Sequence, residues 1–273
     1  MKKFAALALA GCMAVSLAAC GGSASSTASS TASSAASSEA ASTSAAAELT
    51  TVEAGKLTMA TNAAFPPYEM TTDAGEFEGI DVDTAKAIAE KLGLELQIDD
   101  MDFDAALLSV QQGKADIVMA GVTVTDERKA VMDFSDSYAT GIQSIIVPED
   151  SDIASADDLT GKAIGTQRGT TGYIYCTDDF GEENVIAYDD GLTAVQALNN
   201  GQVDAVVIDN APAQEFVAAN PGLKVLDTSY AEEDYAIGMA KGSALEDAVN
   251  KALEELKADG TLQAIVDKYI NAN

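Results

Sequence analysis

The chain has 273 residues and is strongly acidic, because 44 Asp and Glu outnumber 15 Lys and Arg and give a formal net charge of −29. This charge excludes nucleic acid as a partner, since phosphate groups bind clustered basic side chains. The chain also lacks histidine, which excludes Ser-His-Asp and Cys-His catalysis and His-containing zinc sites. We expect a protein without a metal or a cofactor.

The N-terminal part is predicted to lie outside the fold. Two lysines precede an apolar run over residues 4–19, which is short for a membrane span and ends in Leu-Ala-Ala-Cys. This pattern predicts a lipoprotein signal peptide over residues 1–19 and a lipidated Cys20, palmitate included; an ordinary secretory signal with an incidental cysteine is the alternative. Residues 20–48 continue almost entirely in Ala, Ser and Thr, a composition that predicts a disordered tether. We expect lipid anchoring at the extracytoplasmic face of the cell membrane.

Beyond the tether, hydrophobic patterning predicts strands and helices in alternation. In the first part these are a strand over 56–61, a loop over 62–68, a helix from Asp81 to Gly93, a strand over 94–98, a helix from Phe103 to Gly113, a strand over 117–120, a short helix from Thr125 and a strand over 142–147. Residues 148–160 lack a long apolar run, so the crossing into a second lobe is predicted just before them.

The second part repeats the alternation and then returns. It contains a strand over 163–166, a helix after the 169–172 turn, a strand over 185–188, a helix from Gly191 to Gly201, a strand over 205–208, a helix over 211–219, strands over 223–226 and 235–239, and two closing helices.

One block of sequence occurs twice and predicts the architecture. Residues 103–121 and 191–209 each contain an amphipathic helix, a glycine that stops it and a short buried strand, which is typical of parallel α/β sheets. We therefore predict two similar α/β lobes, with lobe 1 over 49–143 and 234–273 and lobe 2 over 144–233. Ligands of such sheets bind beyond the carboxyl ends of the strands, so the site is expected between the lobes.

Four polar features fall at the strand ends that face this cleft. They are Gly121-Val122-Thr123, Arg128, Gly169-Thr170-Thr171 and Asp209. Together they offer one cation, one anion and N–H groups at a helix N-terminus, a set complementary to a zwitterion. A guanidinium holds a carboxylate in two parallel hydrogen bonds, and a helix N-terminus adds donors. Phe65 and Phe103 are candidate walls.

Each of these residues has an ordinary structural alternative. Arg128 could be a solvated helix residue, Asp209 could cap the helix that follows it, and Phe103 could belong to the core. The acidic run over residues 76–83 could bind calcium, but it lacks EF-hand spacing, and acids that lead into a helix commonly serve its dipole.

Seven short motifs follow one another along the chain. They are F-P-P-Y-E, G-I-D-V-D-T-A-K-A-I-A, D-F-D-A-A-L, A-G-V-T-V-T-D-E-R-K, D-F-S-D-S-Y, Q-R-G-T-T-G and L-K-A-D-G-T. As an ordered set, over about residues 54–271, they resemble the family 3 extracellular solute-binding proteins, the amino-acid receptors of ABC importers. The resemblance implies a two-lobed periplasmic-binding-protein-like fold, with two α/β lobes joined by a two-stranded hinge near residues 140–147 and 231–237.

The resemblance also implies roles for the ends of a bound amino acid. Arg128 would clamp the carboxylate with Thr123 and Thr171. Asp209 and the Gly121 carbonyl would hold the ammonium group.

The side-chain end of the ligand is assigned in the same way. Phe65 and Phe103 would sandwich it. Asn62 stands where similar proteins that bind basic amino acids often have Asp, and Ala120 begins a stretch that resembles glutamine-binding members. Gln167 stands where those members have Lys. The ligand is therefore predicted to be a polar, uncharged, glutamine-like amino acid.

The expected function is that of a monomeric, non-enzymatic receptor, whose partners are a free amino acid, the permease subunits of an importer and, through its lipid, the membrane. Two rivals remain. One is a dehydratase-like enzyme on the same scaffold, with Glu69 as its acid. The other is a surface sensory receptor without an importer.

Overall fold

The computed structural model describes residues 49–227 and 229–270. The predicted signal peptide, Cys20 and the tether lie outside the described residues. In the described part the helices are α1 (Ile80–Leu92), α2 (Phe103–Gln111), α3 (Asp126–Val131), α4 (Thr171–Phe180), α5 (Gly191–Asn199), α6 (Asn210–Ala219), α7 (Glu246–Ala258) and α8 (Thr261–Tyr269). None of them is long and apolar enough to cross a membrane.

Strands alternate with these helices along the chain. They are β1 (Lys56–Thr61), β2 (Ala64–Phe65), β3 (Glu69–Thr71), β4 (Phe77–Glu78), β5 (Glu95–Asp100), β6 (Ile117–Val118), β7 (Met132–Phe134), β8 (Ala139–Pro148), β9 (Ile164–Gln167), β10 (Val185–Tyr188), β11 (Ala205–Asp209), β12 (Leu223–Val225), β13 (Ala231–Tyr235) and β14 (Gly238–Ala240).

The first lobe is built on a mixed sheet in the order β5-β1-β6-β14-β7. β1 runs parallel to β5 and β6, whereas β14 is antiparallel to β6 and β7. The sheet is buried on both faces, because Leu57 and Met59 pack in one hydrophobic cluster and Ala60 in another. Helix α1 covers one face and α2 the other, as expected for strands with nearly continuous apolar sequence.

The second lobe has a sheet of similar design, in the order β10-β9-β11-β8-β12, with β13 paired to β8 beyond this path. β9 runs parallel to β10 and β11. β8 is antiparallel to β11, β12 and β13. The predicted class, two α/β lobes, is therefore present in the described residues.

The two lobes are joined by one antiparallel pair of strands. β8 pairs with β13 over residues 139–143, with β11 over residues 143–146 and with β12 over residues 146–148. The chain leaves the first sheet after Phe134 and rejoins it at Gly238. The predicted lobe boundaries, at 143/144 and 233/234, fall within or at the ends of this pair and stay predictions.

The repeated block has the predicted form. Helices α2 and α5 occupy equivalent places, each followed by a glycine with positive φ, Gly113 and Gly201, and then by a buried strand. Two details of the prediction were wrong. The strand predicted over 117–120 ends at Val118, and the one predicted over 235–239 is two strands separated by Ala236 and Ile237, because Tyr235 pairs with the second sheet and Gly238 with the first.

A small three-stranded antiparallel sheet of β2, β3 and β4, which ends in the β3–β4 hairpin, lies beside the first lobe and leads into α1. Gly79 joins the hairpin to this helix with φ of 134°. A Cβ atom there would lie 2.5 Å from the Tyr68 carbonyl carbon, so the close backbone approach requires glycine. This approach fixes the position of Glu69 relative to the first sheet.

Candidate functional site

A pocket lies between the lobes, at the carboxyl ends of β1, β6, β9 and β11. It encloses about 320 Å³ of atom-free space, its open mouth included. Its lining residues are Asn62, Phe65, Glu69, Phe103, Ala120, Gly121, Thr123, Arg128, Gln167, Thr170, Thr171 and Asp209. All eleven side chains or turns predicted from the sequence are therefore brought together, and Glu69 is added. Ligand binding by them remains a prediction.

The strand end of the first repeated block supplies a sharp turn. Gly121 has φ of 55°, and its N–H donates to Asp81 Oδ2 at 3.0 Å. A Cβ on Gly121 would approach Phe65 Cε1 to 3.0 Å and Tyr235 Cε2 to 3.3 Å. Glycine thus lets the two aromatic rings close against the backbone beneath the pocket.

Arg128 is held between the two lobes. The short helix α3 starts at Thr125, whose hydroxyl accepts the Arg128 N–H. The Arg128 side chain is 9% exposed; Nη1 donates to the Thr123 carbonyl at 2.8 Å and Nη2 to the Gly169 carbonyl of the second lobe at 3.1 Å. Burial lowers the pKa of Arg128. The alternative of a solvated helix residue is therefore wrong.

The guanidinium has a capacity to bind an anion. Its centre lies 5.4 Å from the centroid of the Phe103 ring, and it forms no ion pair with any carboxylate of residues 49–227 and 229–270. Phe103 also packs with Ala106 and Val110 in a buried cluster, so it belongs to the core and lines the pocket as well; its contact with a ligand stays a prediction.

The start of helix α4 faces Arg128 from the second lobe. Thr170 caps the helix, because its hydroxyl accepts the Tyr173 N–H. Thr171 is the first residue of the helix and is buried. Its hydroxyl oxygen lies 3.4 Å from that of Thr123, across the cleft. The backbone N–H groups of Thr123 and Thr171 enter no hydrogen bond with another described residue.

Asp209 closes the opposite side of the pocket. It stands at the N-cap position of α6, but its side chain makes no capping hydrogen bond, so the helix-cap alternative does not account for it. Instead Oδ2 accepts from Gln143 Nε2 at 2.8 Å, and Oδ1 is buried without a partner among the described residues. Burial raises the pKa of Asp209 to about 7.

Two amides span the cleft at the side-chain end. Gln167 Nε2 donates to Asn62 Oδ1 at 2.8 Å and approaches the Asp189 carbonyl at 3.3 Å. Asn62 Nδ2 donates to the Met101 carbonyl at 2.9 Å. The nitrogen of the Gln167 amide is therefore engaged, its oxygen remains an acceptor, and the pair carries no charge.

Glu69 was considered in the sequence as a possible acid but not as part of the binding site. It is fully buried, lines the pocket and has no hydrogen-bond partner among the described residues for either carboxyl oxygen. Burial, and then the nearby Asp81 carboxylate, raise its pKa well above the usual range. Burial likewise raises the pKa of Asp81 to about 6, although Tyr138 and Gly121 donate to it. Burial therefore favours the protonated form of Glu69 more than in water.

Two further residues lie behind the pocket wall and were missed. Gln143 on β8 donates through Nε2 to Asp209 and, at 3.0 Å, to Glu233 Oε2. Glu233 on β13 is 7% exposed. Strand alternation was the available signal, because Glu233 shares a face with buried Tyr235 while Glu232 and Asp234 are exposed.

The acidic run at residues 76–83 does not converge on one point. Asp81 turns inward to Gly121 and Tyr138. Asp83 accepts instead from Lys268 and Tyr269 of helix α8. Asp83 thus joins α1 to α8, whereas Asp81 joins α1 to Gly121 and Tyr138.

Comparison with known proteins agrees with this architecture. The profile of the bacterial extracellular solute-binding proteins, family 3, matches residues 57–272. The L-cystine-binding protein TcyJ of Escherichia coli (strain K12) is 33% identical over 225 residues, covering 81% of this chain and 85% of that protein. The arginine-binding extracellular protein ArtP of Bacillus subtilis (strain 168) is 32% identical over 284 residues, covering 98% of each.

Solved structures share the same fold. An ancestral arginine-binding protein bound to glutamine is 42% identical and aligns with a TM-score of 0.76, covering 79% of this chain and 98% of that one. The prediction of a two-lobed periplasmic-binding-protein-like fold is confirmed.

Proposed function

Because this chain belongs to the bacterial extracellular solute-binding proteins, family 3, we propose that it is an extracytoplasmic receptor which binds one free amino acid between its lobes. It would deliver this ligand, as a monomer, to the permease subunits of an ABC importer. Two proteins similar to it are named for amino-acid binding, which supports this class of ligand.

One observation carries the proposal: a buried cation and a buried anion line one pocket. Arg128 and the N–H groups of Thr123 and Thr171 are suited to a carboxylate. Asp209, with the Gly121 carbonyl, is suited to an ammonium group. A free α-amino acid carries both charges close together, so it would satisfy both ends at once.

The uncharged amides at the other end support a polar, uncharged side chain such as that of glutamine. The Asn62–Gln167 pair presents amide groups, and Glu69, whose pKa is raised by burial, can donate one hydrogen bond when it is protonated. An amide ligand could accept from Glu69 and donate to Gln167.

A cationic side chain is the second candidate, favoured by the unpartnered oxygens of Glu69 and by the arginine-binding relatives. To face a guanidinium, Glu69 would have to release its proton. Arginine binding would then free a proton to the buffer, whereas glutamine binding would leave Glu69 protonated.

Calorimetry separates the two candidates. A thermal-shift screen of the twenty amino acids identifies the binders first, because a ligand at a hundredfold excess over its Kd adds about 2.7 kcal/mol of stability. L-glutamine and L-arginine are then titrated in two buffers of different ionisation enthalpy. We expect tighter binding of glutamine with less proton release; tighter binding of arginine with more proton release would favour the second candidate.

The same screen tests the rivals. Absence of a shift with all twenty amino acids would contradict the proposed ligand class. Conversion of a bound acid, followed by mass spectrometry, would support a dehydratase-like enzyme. Genes for a permease and an ATPase beside this one would support an importer rather than a sensory receptor.

We also propose that a lipid on Cys20 anchors the protein to the extracytoplasmic face of the cell membrane. The Leu-Ala-Ala-Cys sequence after an apolar run supports this anchor. The long tether would let the lobes reach an importer while the lipid stays in the bilayer.

A further inference from the structure

Glu233 receives hydrogen bonds from both lobes and from the strands that join them. Its Oε2 accepts from Thr123 at 3.2 Å in the first lobe and from Thr171 at 2.8 Å in the second. The same oxygen accepts from Gln143 on β8 at 3.0 Å, and Oε1 accepts from Tyr175 at 2.7 Å. Glu233 itself lies on β13, outside the pocket lining.

These contacts fix the direction of two hydroxyl protons. A carboxylate accepts hydrogen bonds and has none to give, while a threonine hydroxyl has one proton and two lone pairs. Each hydroxyl lies closer to Glu233 than to the other hydroxyl, which is 3.4 Å away, so Glu233 is the favoured acceptor for both protons. A hydroxyl whose proton points at Glu233 can accept from a ligand but cannot also donate to it; on Thr171, Gln143 Nε2 lies 3.5 Å from the same oxygen.

Asp209 is the second carboxylate that accepts from this network. Gln143 Nε2 lies within hydrogen-bond distance of Asp209 Oδ2 and Glu233 Oε2, so its amide nitrogen is directed at both carboxylates. The Oδ1 atom of Asp209 has no partner among the described residues. Asp209 and the two threonine oxygens are thus acceptors linked in one network through Gln143 and Glu233.

We propose that Glu233 is a positioning residue, which makes Thr123 and Thr171 acceptors for the ammonium group of the ligand. The inference rests on the proposed function, since it concerns one end of a bound amino acid. The ligand carboxylate would then bind Arg128 and the backbone N–H groups of the two threonines. The threonine hydroxyls would not contact the carboxylate. Without Glu233 the hydroxyl protons would turn toward the pocket and oppose the ammonium.

The test compares ligands that differ only in the ammonium group. L-glutamine is paired with glutaramic acid, and L-arginine with 5-guanidinopentanoic acid. Affinities are measured by calorimetry for the full chain and for Glu233→Met, which keeps the length but lacks the acceptor. We expect Glu233→Met to weaken the binding amino acid about ten- to a hundredfold, as for loss of a hydrogen bond to a charged group, and to change the deamino analogue by less than about threefold.

A conservative variant and a matched control sharpen the comparison. Glu233→Gln retains an acceptor oxygen and should stay within about fivefold of the wild type. Tyr175→Phe removes a donor to Glu233 without changing a pocket hydroxyl and should change the affinity for neither ligand. An equal loss for both members of a pair in Glu233→Met, or no loss at all, would overturn the proposal.

Two further measurements keep the test decisive. If Glu233→Met does not fold, Thr123→Val and Thr171→Val replace it, and an equal loss of amino acid and deamino analogue would again overturn the proposal. If the wild type binds none of the four compounds, the proposed function fails. Methyl NMR of the ligand-free chain then decides on Glu233: the χ1 angles of Thr123 and Thr171 should each be fixed in the wild type and averaged in Glu233→Met, and unchanged χ1 populations would contradict its role.

Discussion

At the scale of single residues, Arg128 and Asp209 give the site its two opposite charges, and burial affects the protonation of each differently. Arg128 keeps its charge, although burial lowers its pKa, because two backbone carbonyls accept from it. Burial raises the pKa of Asp209 to about 7, and one of its carboxyl oxygens has no partner among the described residues. Below about pH 7 the free protein therefore holds a proton at Asp209 that an ammonium ligand would displace.

Arg128→Ala should weaken amino-acid binding by about 3–5 kcal/mol, because it leaves a desolvated carboxylate without its partner. Arg128→Lys should recover only part of this loss, since the two-pronged geometry of the guanidinium is gone. Calorimetry measures both variants. An affinity of Arg128→Ala within threefold of the wild type would place the ligand carboxylate elsewhere.

Asp209 should make stability and affinity depend on pH in opposite directions. Its pKa is about 7 when folded and about 3.9 in an unfolded chain. Between these values the folded state holds a proton that the unfolded state has lost, so its contribution to stability is fully present below about pH 4 and is lost as pH rises to about 7. Affinity should instead fall below about pH 7, as Asp209 becomes neutral.

Asp209→Asn isolates this group from Glu69 and Asp81, which titrate nearby. The variant should weaken binding by about 1.5–3 kcal/mol at pH 8 and leave the ligand-free melting temperature at that pH equal or higher. It should also remove part of the pH dependence of both quantities between 4 and 7. Melting temperature and affinity are measured on the same samples, and unchanged affinity would contradict the two-lobe clamp.

The sequence pointed to the residues that line the pocket, but not to Gln143 and Glu233, which lie behind its wall. Thr123, Arg128 and Asp209 follow predicted strand ends, which is where a parallel sheet brings side chains together. Glu233 lies in the run Glu232-Glu233-Asp234, which reads as a solvated charged segment. Only pairing of β13 with β8 turns the middle carboxylate inward, and long-range pairing cannot be read from local pattern.

At the scale of elements, the connection between hairpin and helix α1 sets the floor of the pocket. Asp81 and Asp83 in the first turn and Lys91 in the last favour this helix, and Gly93 ends it in a left-handed conformation. The helix boundaries were thus predictable from composition. The need for glycine at residue 79 was not, since it arises from the approach of the Tyr68 backbone.

Gly79→Ala should destabilise the protein by more than about 2 kcal/mol, because it combines an unfavourable φ with a backbone clash. Gly75→Ala is the matched control: its φ is also positive, at 79°, but nothing lies within 4 Å of the added carbon. The control should cost only about 1 kcal/mol. Urea unfolding gives both values, and equal losses would mean that the close approach is not rigid.

At the scale of the whole molecule, two strands connect lobes that also touch at the rim of the cleft. A Cβ on Gly169 in the second lobe would lie 3.7 Å from the Cβ of Asp104 in the first. This separation falls within the range of about 3.5–4.5 Å found in disulfides. The rim can therefore be closed covalently.

The double variant Asp104→Cys, Gly169→Cys should lock the cleft when oxidised. Ligand added before oxidation should dissociate at least about a hundredfold more slowly, because release requires the hinge to open. Ligand added afterwards should bind slowly or not at all. Reduction of the same sample restores the wild-type rates and serves as control; equal release rates in both redox states would exclude hinge opening as the route of exit.

Cys20→Ser should release the protein from the membrane and leave its ligand affinity unchanged, because the proposed anchor is separated from the pocket by the tether. Fractionation of cells measures the first effect and calorimetry the second. Membrane association of the variant that persists after a salt wash would contradict the lipid anchor.

The order of strands in the first lobe has a consequence for how the chain folds. All strands of the second sheet come from one uninterrupted stretch of the chain, from Ala139 to Tyr235. In contrast, β14 occupies an interior position of the first sheet, between β6 and β7, more than a hundred residues after β6. During synthesis from the N-terminus, all strands of the second lobe are therefore available before those of the first lobe. The first sheet stays incomplete until Gly238–Ala240 has been made. A chain cut short before that strand should keep a protease-resistant second lobe and lose the first.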